Sequence, residues 1–150
     1  MPTAPLSRRL LAFVLAVLGT YAVACISATQ GALAALPEIA QPISMGVRLQ
    51  TTIADLGGMA LRFAPLITLA LVAGFAVAAA VIRWLPNLRT LGYVLGGATA
   101  LVAMHLIMKS TFDNIAPVAA TRTVVGLAAQ GVAGAFGGWL FARISAPTAG

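Results

Sequence analysis

The chain has 150 residues, 61% of them hydrophobic and 8% charged, with a mean hydropathy of +1.01. So few charges cannot coat a water-soluble globule of this size, and a soluble domain is excluded. A net charge of +6 would suit nucleic acid in a soluble protein, but here the nine Lys and Arg stand at the edges of apolar runs, as they do at a bilayer, and no nucleic-acid partner is expected.

A helix needs about 20 apolar residues to cross the hydrocarbon core, and in lipid it must satisfy its backbone polar groups within its own segment. Four runs meet this condition, at residues 10–30, 64–85, 91–108 and 124–141. They predict an all-α integral membrane protein, a compact four-helix bundle in a single polytopic domain.

The first run follows Arg8 and Arg9, and its Thr20, Ser27 and Thr29 are tolerated because hydroxyls bond back to helix carbonyls. The same stretch also reads as a secretory signal, with Ala22-Val-Ala24 as a small-residue cleavage site before Cys25. Ser7-Arg8-Arg9-Leu-Leu resembles part of a twin-arginine signal. The apolar run continues through Ile26 to Leu36, longer than a signal core requires, and retention as a span is expected. The lone Cys25 permits no intrachain disulfide.

The long connection after Pro37 contains a second kind of helix. Over residues 43–62, at about 100° per residue, Ser44, Arg48, Thr51, Thr52, Asp55, Gly58 and Arg62 share one stripe, opposite Leu49, Ile53, Leu56 and Ala60. This predicts an amphipathic helix preceded by Pro42 and running unbroken into the second span until Pro65. An interfacial helix with its polar stripe in water is the expected reading. In the alternative, the helix packs on the bundle and turns Arg48, Asp55 and Arg62 into a cleft suited to an anionic lipid head group or a carboxylate.

The second and third runs are separated only by Arg83-Trp-Leu-Pro-Asn-Leu-Arg89, which predicts an antiparallel hairpin. The third and fourth are joined by a polar loop holding Asp113, Asn114 and Pro117. With the N-terminus inside, Arg8, Arg9, Arg83, Arg89 and Arg143 are cytoplasmic and Arg48, Arg62, Lys109 and Arg122 are outside, so the basic excess favours N-in and C-in in an inner membrane. Trp84 and Trp139 fall on the cytoplasmic side, as an aromatic belt would place them.

The fourth run carries Thr123, Gly126, Gln130, Gly134, Gly137 and Phe141 on one face, with Gly138 on an adjoining flank. Glycine lets two backbones approach closely, so this face is expected to associate helices, within the chain or between subunits. Gln130 in its middle should hydrogen-bond a facing helix. His105 and Lys109 lie one turn apart near the outer end of the third span and join Arg48, Asp55 and Arg62 as candidates for a ligand or ion pathway. One His, one Cys and the scattered acids Glu38, Asp55 and Asp113 offer no evident metal set, and neither cofactor nor catalytic residue is expected.

These observations point to a non-enzymatic structural or accessory component, associating with itself or a larger membrane complex through the glycine face, with membrane lipids as its surroundings. A small transporter, channel or anionic-lipid-handling protein using the outer polar cluster is the alternative.

Overall fold

The computed structural model describes residues 5–34, 44–111, 121 and 123–146. Among these the chain is all helix: α1 (Leu6–Ala34), α2 (Met45–Gly58), α3 (Ala60–Ile82), a 3-10 turn at Pro86–Leu88, α4 (Arg89–Thr111) and α5 (Val124–Ile144). Glu38, Asp113, Asn114 and Arg122, with Pro37, Pro42, Ile43 and Pro117, lie outside the described residues. α1, α3, α4 with its preceding turn, and α5 are each long and apolar enough to cross a membrane, so the chain is a multi-pass helical membrane protein.

At a rise of about 1.5 Å per residue, the 23 residues of α3 and of α4 give about 34 Å and the 21 of α5 about 31 Å. Each matches a hydrocarbon core of about 30 Å. α1, with 29 residues, overshoots that core by about 13 Å. α2, with 14, is too short to cross it.

Around the bundle the order is α1, α5, α4, α3, with α4 and α5 most intimately packed and α1 and α3 touching least among the neighbouring spans. The reason lies in the glycines. A methyl group added to Gly97 would stand 2.1 Å from the Gly134 carbonyl oxygen, and one on Gly134 would stand 2.1 Å from that of Gly97. α4 and α5 therefore meet backbone to backbone. The two Gly-Gly pairs divide their work, because consecutive residues point about 100° apart on a helix. Gly96 faces Gly74 on α3 while Gly97 faces α5; Gly137 faces Ala16 and Thr20 on α1 while Gly138 faces the Tyr93 carbonyl on α4.

α1 answers with a ridge of small residues spaced by four, Ala12, Ala16, Thr20, Ala24 and Ala28, all buried. Aromatic side chains fill the space near the start of α4, where Phe75 stacks on Phe141 at 4.8 Å and Tyr93 meets the same ring edge-on at 4.8 Å.

Helix ends at the same side are tied by arginine. Arg8 donates from Nε to the Ile144 carbonyl (2.7 Å), and Arg89 donates to the carbonyls of Ala142 (2.6 Å) and Ser145 (3.0 Å) and to the Ser145 hydroxyl (2.7 Å). These are carbonyls that the last turn of a helix leaves without intrahelical donors, and cations there also complement the helix dipole. The ties gather the starts of α1 and α4 and the end of α5, making one basic end that also holds Trp139, with the Arg143 guanidinium 5.6 Å from its ring.

The expected unbroken helix from 43 to Pro65 is corrected at Gly57-Gly58-Met59. Glycine is a poor helix former because it loses the most backbone freedom on folding. The Met59 amide closes α2 on the Asp55 carbonyl (2.9 Å), and the Phe63 amide reopens the helix on the Met59 carbonyl (2.8 Å). Pro65 lies inside α3 rather than at its start.

Candidate functional site

Two of the polar groups that the sequence singles out, Arg48 and Asp55, lie at the end of the bundle opposite the arginine ties, along the seam between α1 and α2. α2 presents Arg48, Thr52, Asp55 and Leu56 toward α1, a set spaced by four, three and one and so confined to one helical face. Arg48 donates from a terminal nitrogen to Gln30 Oε1 (3.0 Å), and Gln30 Nε2 donates to Thr52 Oγ1 (3.0 Å). The Thr52 hydroxyl donates in turn to the Arg48 carbonyl (2.8 Å), closing a loop of three side chains.

One turn further on, Thr29 Oγ1 lies 2.7 Å from Asp55 Oδ2 and 3.0 Å from the Cys25 carbonyl, so one hydroxyl proton faces two acceptors. The Tyr21 hydroxyl donates to the Leu56 carbonyl (2.7 Å) and fastens the end of α2.

This placement corrects the expectation of an interfacial helix with its polar stripe in water. Arg48, Thr52 and Asp55 are spent on α1, and the outward side carries Leu49 and Ile53, 63% and 62% exposed. The reason is chemical matching: α1 places Tyr21, Cys25 and Thr29 at intervals of four, with Gln30 beside them, as a polar line within its last four turns. That line was the signal available in the sequence for the seam, and Tyr21, Thr29 and Gln30 are the partners on α1 that sequence reasoning missed.

The five pathway candidates do not meet at one place. Arg48 and Asp55 are in the seam, half-buried, while Arg62 and Lys109 are exposed. His105 is 5% exposed; its Nδ1 lies 2.9 Å from the Leu101 carbonyl of its own helix, and its ring is tilted against Phe63 of α3 at 6.1 Å. Among the described residues, His, Cys, Asp and Glu nowhere gather in threes as a metal site would need.

Of the glycine-face residues, Gly134, Gly137 and Gly138 are closed within the chain against α4 and α1. The expectation that this face receives another subunit is corrected on that ground, since backbone already occupies the space. Gly126 is in the first turn of α5, where its amide donates to the Thr123 hydroxyl (3.0 Å). Gln130, 1% exposed, donates from Nε2 to the Ala24 carbonyl (3.0 Å) and to Ser27 Oγ (3.3 Å) on α1. Beside it lies a small, partly enclosed cavity of about 10 Å³, bounded by Tyr21, Cys25, Met59 and Phe63.

Among the described residues, three buried side-chain atoms have no hydrogen-bond partner: Thr20 Oγ1, His105 Nε2 and Gln130 Oε1. Thr20 Oγ1 occupies the place where a side chain on Gly137 would stand.

No protein-family model matches the chain, and neither does any curated protein or solved structure to which it was compared.

Proposed function

We propose that the protein is a small non-enzymatic component of a cell's inner membrane, with both termini cytoplasmic, acting as a structural or accessory subunit of a larger assembly or of its own oligomer. One observation carries this reading: several polar side chains of the bundle serve as ties between helices. Arg8 and Arg89 hold the end of α5, Arg48 and Gln30 hold α2 to α1, and Gln130 holds α5 to α1. Such a body presents its outer sides to lipid and to neighbours. With the glycine face closed, the contact with another subunit runs through the lipid-facing sides.

The test is to extract the protein from its native membrane in a polymer-bounded lipid disc and measure the mass of the particle's protein content. Association predicts a mass above the 15.2 kDa of one chain, with defined neighbours or copies retained. A particle holding a single chain and nothing else would end the reading.

The alternative, a small transporter or channel, draws support from the unpartnered Gln130 Oε1 and His105 Nε2, since buried polar atoms in a membrane bundle commonly mark a pathway. It predicts solute or ion flux in liposomes that Gln130→Leu and His105→Phe abolish. Flux indifferent to both would dispose of it.

A further inference from the structure

Three of the four seams between neighbouring spans are closed by glycine or by a ridge of small residues, but the fourth, between α1 and α3, is open over the half nearest the basic end. There a groove of about 510 Å³ runs between residues 6–13 of α1 and 72–79 of α3. We propose that this groove binds the acyl part of one anionic phospholipid, with the phosphate held by Arg9.

The lining is apolar and stiff. Phe75, Tyr93 and Phe141 form its floor, locked together by ring contacts of 4.8 to 5.6 Å, and Phe13 meets Phe75 edge-on at 6.2 Å at the deep end. Eight residues of helix make the groove about 12 Å long, most of one leaflet of a hydrocarbon core about 30 Å thick. That length and apolar lining match extended acyl chains.

Charge selects the head group. Arg8 and Arg89 at this end are committed to the carbonyls of α5, whereas Arg9 is exposed and borders the groove. A guanidinium at the mouth of an apolar slot, at the level where lipid phosphates lie, is suited to paired hydrogen bonds with a phosphate. The inference is independent of whether the chain joins a larger complex.

The experiment is thermal unfolding of the full chain in zwitterionic detergent with added phosphatidylglycerol or phosphatidylcholine of identical chains, since a ligand of the folded state raises the midpoint by mass action. A saturable shift is expected with phosphatidylglycerol at a concentration at least tenfold below that needed with phosphatidylcholine, and glycerol phosphate alone should give none. Arg9→Gln should remove the difference between the lipids, while Arg83→Gln, at the same end but outside the groove, should preserve it. Ala76→Phe, which fills the groove, should weaken both lipids at least tenfold; if that variant unfolds unaided, Val72→Phe makes the same test. The proposal is overturned if Arg83→Gln acts like Arg9→Gln, if a filled groove binds as before, or if glycerol phosphate suffices. It is equally overturned if deleting residues 1–4 tightens lipid binding tenfold, which would make the chain's own N-terminus the occupant.

Discussion

Replacing Gly134 with alanine tests the closest contact in the bundle. The added methyl would lie 2.1 Å from the Gly97 carbonyl oxygen and 2.7 Å from its carbon, against an ordinary contact beginning at 3.4 Å. The obstacle is backbone, so no rotamer can yield, and α4 and α5 must part locally by about 1.3 Å, a gap at which dispersion contacts lose at least a quarter to a half of their depth. Overpacking of this kind costs about 1–3 kcal/mol, and the upper part of that range is expected because both partners are main chain. Gly57→Ala is the control: nothing lies within 4 Å of its added methyl, and the gain in helix propensity should stabilise α2 by up to about 1 kcal/mol.

The assay is reversible unfolding in mixed micelles, read as free energy. Gly97→Ala should cost as much as Gly134→Ala, and the double variant should cost clearly less than their sum, because helices already parted for one methyl admit the second. Additive losses, or a Gly134→Ala variant as stable as the parent, would refute the close approach.

Four further outcomes are expected. Arg89→Met removes the donors to Ala142 and Ser145 at the end of α5, and a charged hydrogen bond is worth about 1.5–3 kcal/mol, so the unfolding free energy should fall by at least that much. Gln130→Met, close in volume, should cost about 0.6 kcal/mol, the average for interhelical hydrogen bonds in membranes, and no more than about 1.7 kcal/mol, their maximum; a larger loss would show that Gln130 has a role beyond holding α1. Asp55→Asn keeps a partner for Thr29 and should leave α2 as protected from amide hydrogen exchange as before, whereas Asp55→Leu should raise exchange throughout α2. Intact mass of the protein isolated from membranes should include the first span, because Arg8 and the ridge from Ala12 to Ala28 are bound into the bundle; a species starting near Cys25 would refute it.

The spans were legible because hydropathy and helix length speak directly to a bilayer's thickness. α1, α4 and α5 contain their expected runs, α3 ends at Ile82, three residues short of the expected Leu85, and the hairpin at residues 83–89 turns as its length requires. The ends were less legible: α1 begins at Leu6 and α5 runs to Ile144, since arginines that bond helix carbonyls belong to the helix ends rather than beyond them. The glycines were visible as a packing face, but which neighbour each would meet was not, because that depends on the order of helices around the bundle. The polar face of α2 was found, and its direction was misread, since a stripe on one helix says nothing of the complementary stripe that Tyr21, Cys25 and Thr29 make on another. Gly57-Gly58 was a readable break that the strong periodicity around it concealed.

The position of α5 bears on how the protein is made. It stands between α1 and α4, supplies the carbonyls for Arg8 and Arg89, and is the last of the described helices to leave the ribosome. Until it arrives, the first three spans have only the light contact of α1 with α3 and the α3–α4 hairpin to hold them, and the Gly97 face of α4 meets lipid. Assembly therefore waits on the insertion of α5. A chain stopped short of Val124 should be a substrate for membrane proteolysis, and α5 supplied as a separate polypeptide should restore it.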